Sequence, residues 1–196
     1  MPKGKKKGKY ESELQEKFEE KVLETIDALS ARSNAARAAA LVALRSAFQR
    51  RYLTPMLMGQ RLTLADHVTR ALRRGKDGER RAAASLAPIL ALQIGEEGTE
   101  EFMSVVRPAL LAAAMDKTAS LESRTECCSA LAILCYLLEE DLTEVIEVMK
   151  TFESIFRGRQ REGVWSRSGG GRLPRGSRGR LGAAASRLCA WRREVL

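Results

Sequence analysis

Apolar positions return every three or four residues over most of this chain. Leu14, Phe18, Val22, Ile26 and Leu29 form the first such stripe. That spacing predicts an amphipathic helix over 11–29, with Glu16, Glu19, Glu20 and Glu24 on its wetter sides. Leu41, Leu44 and Phe48 predict a second helix, from a cap at Ser33-Asn34 to about residue 51. Thr54-Pro55 starts a short helical turn that ends near Gly59. Leu64, Val68, Ala71 and Leu72 share one arc of a helix over 63–74, with Thr63 as its cap and Gly75 as its stop. Asp77 is placed to cap a helix over 78–94, Thr99 one over 99–115, and Ser120 one over 121–138; Pro88 and Pro108 fall inside the first two. The run 130–138 is apolar on nearly all sides, which predicts a helix buried in the centre of a stack. Asp141 caps a last helix to about residue 156, with Val145, Met149, Phe152 and Phe156 on one side.

Three of these helices resemble one another. Each opens with an Arg in a small-residue stretch that becomes Leu-rich, and aligning Arg37, Arg81 and Arg124 gives spacings of 44 and 43. A period of this size with two or three helices per unit predicts an all-α, armadillo/HEAT-like helical repeat solenoid. Such a stack presents surface to a partner. Low aromatic content, 5%, with Ala and Leu carrying most of the apolar weight, suits helices that approach closely.

Charge divides the chain. The formal net charge is +9, but residues 1–9 hold five Lys and no acid, and residues 157–196 hold eleven Arg and two Glu. The intervening body carries 18 basic and 23 acidic residues. The expected organisation is a basic disordered arm over 1–9, a helical domain over 10–156, and an Arg/Gly-rich low-complexity tail over 157–196. Within the body, Arg50, Arg51, Arg61, Arg70, Arg73, Arg74, Lys76, Arg80 and Arg81 crowd into one stretch. On the helix over 63–74, Arg70, Arg73 and Arg74 lie opposite the apolar arc. Together with Lys76, Arg80 and Arg81 they make a candidate polyanion- or ribosome-binding edge; the alternative is a solvated face paired with nearby acids. Residues 82–156 are acidic, with Glu96, Glu97, Glu100, Glu101, Glu139, Glu140 and Asp141 among them, and suit a basic protein partner or simply helix capping.

Candidate chemistry is sparse. Cys127, Cys128 and Cys135 lack the paired spacing of a zinc site and read as small core residues; Cys189 stands apart. His67 is the single His and flanks the Arg face, so nucleophilic catalysis through Ser or Cys finds no positioned base. No phosphate-cradling glycine motif is present: Gly169-Gly170-Gly171 follows no predicted strand. Trp165 and Trp191 sit among Arg. The expectation is a protein without enzyme activity, cofactor, metal or small-molecule substrate. The Lys- and Gly-rich start carries no secretory pattern, and the apolar runs are too short for a membrane span.

Certain motifs go beyond pattern. Arg61-Leu62-Thr63-Leu64 opens one helix, Arg73-Arg74-Gly75-Lys76-Asp77-Gly78 makes a basic turn, and an Ala-rich helix then ends in Gln93-Ile94-Gly95. Further on, Asp141-Leu142-Thr143 opens a helix that ends in Glu153-Ser154-Ile155-Phe156. This resembles the N-terminal domain of the interferon-related developmental regulator family, over roughly residues 10–156. The resemblance implies an armadillo-like fold, no enzyme activity, and a place in nucleus and cytoplasm. It also implies transcriptional co-regulation through co-repressor complexes, or ribosome/RNA binding that represses translation. After Phe156 the family's pattern stops, so Val145, Met149, Phe152 and Phe156 are expected to leave an exposed apolar patch that the family normally covers.

Overall fold

The computed structural model describes the backbone of residues 4–138 and 141–164, with side chains over 12–95, 98–138 and 141–158. The chain divides into two compact units, 1–140 and 141–196. Among the described residues the structure is helical and contains no strand.

In the first unit, α1 (Gly4–Asp27) passes through a 3-10 turn (Ala28–Ser30) into α2 (Asn34–Phe48). Then follow α3 (Thr54–Leu57), α4 (Arg61–Arg74), α5 (Asp77–Ile94), α6 (Glu96–Met115) and α7 (Leu121–Leu138). α2 packs on α5 and α5 on α7, forming one row of helices. α4 packs on α5 and α6, and α6 on α7, forming a second layer behind it. Leu41, Leu44, Leu64, Val68, Leu72, Leu86, Leu90, Leu110 and Leu134 fill the space between them and are buried. In the second unit, α8 (Leu142–Val164) is one helix.

Several helix starts differ from the sequence expectation. α1 begins at Gly4, within the stretch expected to be a disordered arm, because lysines are good helix formers and extend a helix already set by the stripe from Leu14 on. α4 begins at Arg61, ahead of Thr63, with Gln60 in the cap position and no side-chain bond there. Asp77 lies inside α5, and its carboxylate instead accepts from the Ser120 amide at 3.1 Å, tying the start of α5 to the start of α7. α6 begins at Glu96, so the Thr99 hydroxyl donates back to the Gly95 carbonyl at 2.6 Å instead of capping. Ser33, Ser120 and Asp141 do accept from the amides of Ala36, Ser123 and Thr143. α8 continues past Phe156 to Val164, into the stretch expected to be tail; residues 165–196, with Trp165, Trp191 and the glycine run, lie outside the described residues.

The largest departure is α7. The sequence makes it apolar all round, yet Ile133, Tyr136 and Leu137 are exposed. Hydropathy reports what a helix can bury, while burial needs a neighbour on every side. α7 ends its row, with α5 and α6 as its partners in the first unit. Cys127 on the covered side is fully buried and its thiol is pushed up to about 12, chiefly by burial. Cys127 should therefore resist iodoacetamide at pH 8 while the chain is folded and react on denaturation, as mass spectrometry of the alkylated peptide would show.

The joint between α5 and α6 is set by the Gln93-Ile94-Gly95 motif. Ile94 is buried, and Gly95 adopts φ 75°, ψ 177°, a region closed to residues with a Cβ. Gly95→Ala should cost about 1–3 kcal/mol in urea denaturation; an unchanged midpoint would mean the joint relaxes freely.

Candidate binding surfaces

The Arg at the start of each row helix has a common job. The Arg37 guanidinium donates to the Ala31 carbonyl at 2.8 Å, Arg80 Nε to the Leu72 carbonyl at 3.0 Å, and Arg124 Nε to the Ala114 carbonyl at 2.9 Å. Each closes carbonyls left open at the end of the preceding element. The equivalent residues are thus Arg37, Arg80 and Arg124, and the sequence alignment through Arg81 is one residue out of register. From the same edge the side chains reach the next helix pair. Arg37 grips Glu79 with two bonds of 2.6 and 2.9 Å, Arg80 meets Asp116 at 3.1 Å, and Arg81 meets Glu122 at 2.7 Å. Asp116 is held below the usual carboxylate range, first by the hydroxyl and amide of Thr118 and then by Arg80.

These partners divide the expected polyanion edge. Arg80 is part-buried and committed to Leu72 and Asp116, so it is structural. Arg81 is exposed but paired with Glu122. Arg70 donates 2.8 Å bonds to the Leu29 carbonyl and to His67 Nδ1. His67 is half-buried, and its pKa is lowered by burial first and then by Arg70, so the ring stays neutral and accepts from the guanidinium. Arg73, Arg74 and Lys76 are exposed, with no ion pair among the described residues. Two shallow hollows flank them. One of about 490 Å³ runs along α4 past Asp66, His67, Arg70, Arg73 and Arg74. The other, of about 270 Å³, lies between the 3-10 turn and the end of α4, beside Arg37, Arg70, Arg74 and Glu79. Arg51 lies elsewhere, over the Phe18 ring at 4.8 Å and bonded to Gln15.

Of the expected apolar patch on α8, Phe156 is exposed and Val145, Met149 and Phe152 are half-buried. In the acidic region Glu100, Glu101 and Asp141 are exposed, while the side chains of Glu96, Glu97, Glu139 and Glu140 lie outside the described residues. No group of His, Cys, Asp and Glu suited to a metal occurs among the described residues, and no described helix is long and apolar enough to cross a membrane.

Sequence reasoning missed one polar device, Gln93. Its amide is buried; the oxygen accepts from the Leu53 amide at 2.8 Å and the nitrogen donates to the Phe48 and Arg51 carbonyls at 2.9 Å each. The Thr54 hydroxyl donates to the Gln93 carbonyl at 2.5 Å. One side chain thus holds the link between α2 and α3. The available signal was a single amide in an otherwise apolar helix end.

Fold and surfaces together describe a protein that is helical over its described residues, with polar clusters that tie helix to helix. Its sequence matches the family described as Interferon-related developmental regulator over residues 2–170, somewhat further at both ends than the motifs alone suggest. It is 34% identical to Interferon-related developmental regulator 1 of Sus scrofa over 147 residues, which is 74% of this chain and 33% of that protein. The identity is 33% to the Homo sapiens protein of the same name over 147 residues, and 36% to Interferon-related developmental regulator 2 of Mus musculus over 148. The chain belongs to the interferon-related developmental regulator family and spans about a third of the length of these relatives.

Proposed function

We propose that this chain is a non-enzymatic regulatory scaffold, an armadillo/HEAT-like helical stack that acts on transcription through protein partners, co-repressor complexes among them, in nucleus and cytoplasm. Membership of a family named for developmental regulation supports the regulatory role. The observation that carries binding through protein contacts is the set of large apolar side chains on adjoining helices of one row, Leu92, Ile133, Tyr136 and Leu137, which stand exposed. Isolated exposed apolar residues are ordinary, but a group of them on neighbouring elements marks a contact surface. Tethered beside a reporter promoter, the full chain should change transcription; a reporter that does not respond would overturn this reading.

A second reading, ribosome or RNA binding that represses translation, is favoured by Arg73, Arg74 and Lys76, three exposed cations without ion pairs among the described residues. Such residues bind phosphate with strong salt dependence. If it holds, reversing all three to Glu should abolish co-sedimentation with ribosomes at low salt; a variant that still co-sediments would remove α4 from that role.

A further inference from the structure

The register fixed by Arg80 and Arg124 places Ile89 and Leu92 of α5 at the same points along their helix as Ile133 and Tyr136 of α7. Since α5 packs directly against α7, these positions adjoin. Leu92 is 57% exposed and Tyr136 84%, with Ile133 and Leu137 also open and Ile89 half-buried. The corresponding positions, by the register of Arg37, are the polar Ser46 of α2 and Gln49 just after its end. At these two points, then, α5 and α7 form an apolar strip where the third row helix is polar; α2 exposes Val42 instead, one turn earlier, at the level of Ser85 and Ser129.

The strip changes character toward the start of α7. Ser85 and Ser129 come first, and their hydroxyls are turned back onto the carbonyls of Ala82 and Thr125, leaving a low step. Beyond them stand Glu126 and Glu122 on the same side of α7 as Ile133. Glu122 is engaged with Arg81, but Glu126 has no hydrogen bond or ion pair among the described residues. Ile133 and Glu126 are two helical turns apart, about 10 Å, which an extended chain covers in about three residues.

We propose that this strip docks a short extended segment of a protein partner that carries apolar side chains and, about three residues away, a Lys or Arg for Glu126. The apolar side chains cover Leu92, Ile133 and Tyr136, and the base supplies the charge that Glu126 lacks. Tyr136 is the anchor, since an exposed aromatic ring offers large contact area at small entropic cost. The inference rests on the reading of this chain as a protein-binding scaffold and names the surface and the chemistry that reading leaves open.

Selection of randomised twelve-residue peptides by display on the full chain tests it, with anisotropy of the enriched peptides as the readout. The expected winners pair apolar residues with a nearby Lys or Arg. Their affinity should fall about ten-fold or more on Tyr136→Ser or Leu92→Ser. Glu126→Lys should weaken them several-fold, more than Glu126→Gln does. These side chains are surface-borne, so unchanged circular dichroism melts confirm that the variants fold. Winners without a base, winners indifferent to Tyr136→Ser, or no winners at all would overturn the proposal. So would sedimentation velocity in which the wild type self-associates and Tyr136→Ser does not, which assigns the strip to a second copy of this chain. The broader scaffold reading is separated from this one by photo-crosslinking in cells. Crosslinks from position 74 but not position 136 leave a scaffold without this strip. Crosslinks from neither position, alongside a silent reporter, sink both.

Discussion

Arg37→Met is expected to lower the melting midpoint by on the order of 10 °C, well beyond what Glu79→Met does. The asymmetry lies in burial. The Glu79 side chain is 3% exposed and receives both of its strong bonds from Arg37. Remove the guanidinium and a carboxylate is left in the interior without a partner. Remove Glu79 instead, and Arg37, at 18% exposure, still donates to the carbonyls of Ala31 and Arg32 and to the Asn34 side chain. A buried pair often contributes little net stability, yet breaking it from one side is expensive. The double variant Arg37→Met/Glu79→Met should therefore recover most of the loss, and a thermal-melt double-mutant cycle reads this as strong coupling. Arg37→Lys should not rescue, because one ammonium cannot reproduce the fork that spans both carboxylate oxygens and the carbonyls behind it. Equal and additive effects of the two single variants would show that the pair does not join α2 to α5.

The second large effect is expected at Gln93. Gln93→Leu keeps the volume but leaves the Leu53 amide and the Phe48 and Arg51 carbonyls without their shared partner. Each buried polar group so stranded costs about 1–3 kcal/mol, against about 1 kcal/mol for an ordinary point substitution. Gln93→Glu should be worse despite its closer shape, because a carboxylate cannot donate and would face two carbonyl oxygens in a buried site. Urea denaturation followed by far-UV circular dichroism gives both values. A Gln93→Leu midpoint equal to the wild type would mean that water reaches the link between α2 and α3.

Much of the helical architecture was legible in the spacing of apolar residues. Leu64, Val68, Ala71 and Leu72 lie buried on one arc of α4, while Arg70, Arg73 and Arg74 face out, as the period requires. Helix starts were less legible, because Thr63, Asp77 and Thr99 look like caps wherever they fall in sequence, while the chain had other uses for them. The tandem Arg80-Arg81 hid the register, since both suit a helix start and only the carbonyl each can reach distinguishes them. Which acid Arg80 meets was hidden for a different reason: Asp116 is distant in sequence. The exposed side of α7 was illegible, because its apolar residues are the same whether or not a neighbour covers them. The family resemblance marked Gln93-Ile94-Gly95 as a unit, and the structure supplies the reason: a clamp, a core residue and a glycine-only backbone.

The two functional readings use different faces of the molecule and differ in what holds the partner. Apolar contact on α5 and α7 tolerates salt, while phosphate contact on α4 releases counterions and does not. Sedimentation of the tagged full chain from cell lysate, with and without nuclease and at low and high salt, separates them in one gradient. If the chain is a protein-binding scaffold, its assemblies persist through nuclease and high salt and are unchanged when Arg73, Arg74 and Lys76 are reversed to Glu. Migration with ribosomes that collapses to the free chain on nuclease treatment, or on that charge reversal, would contradict it.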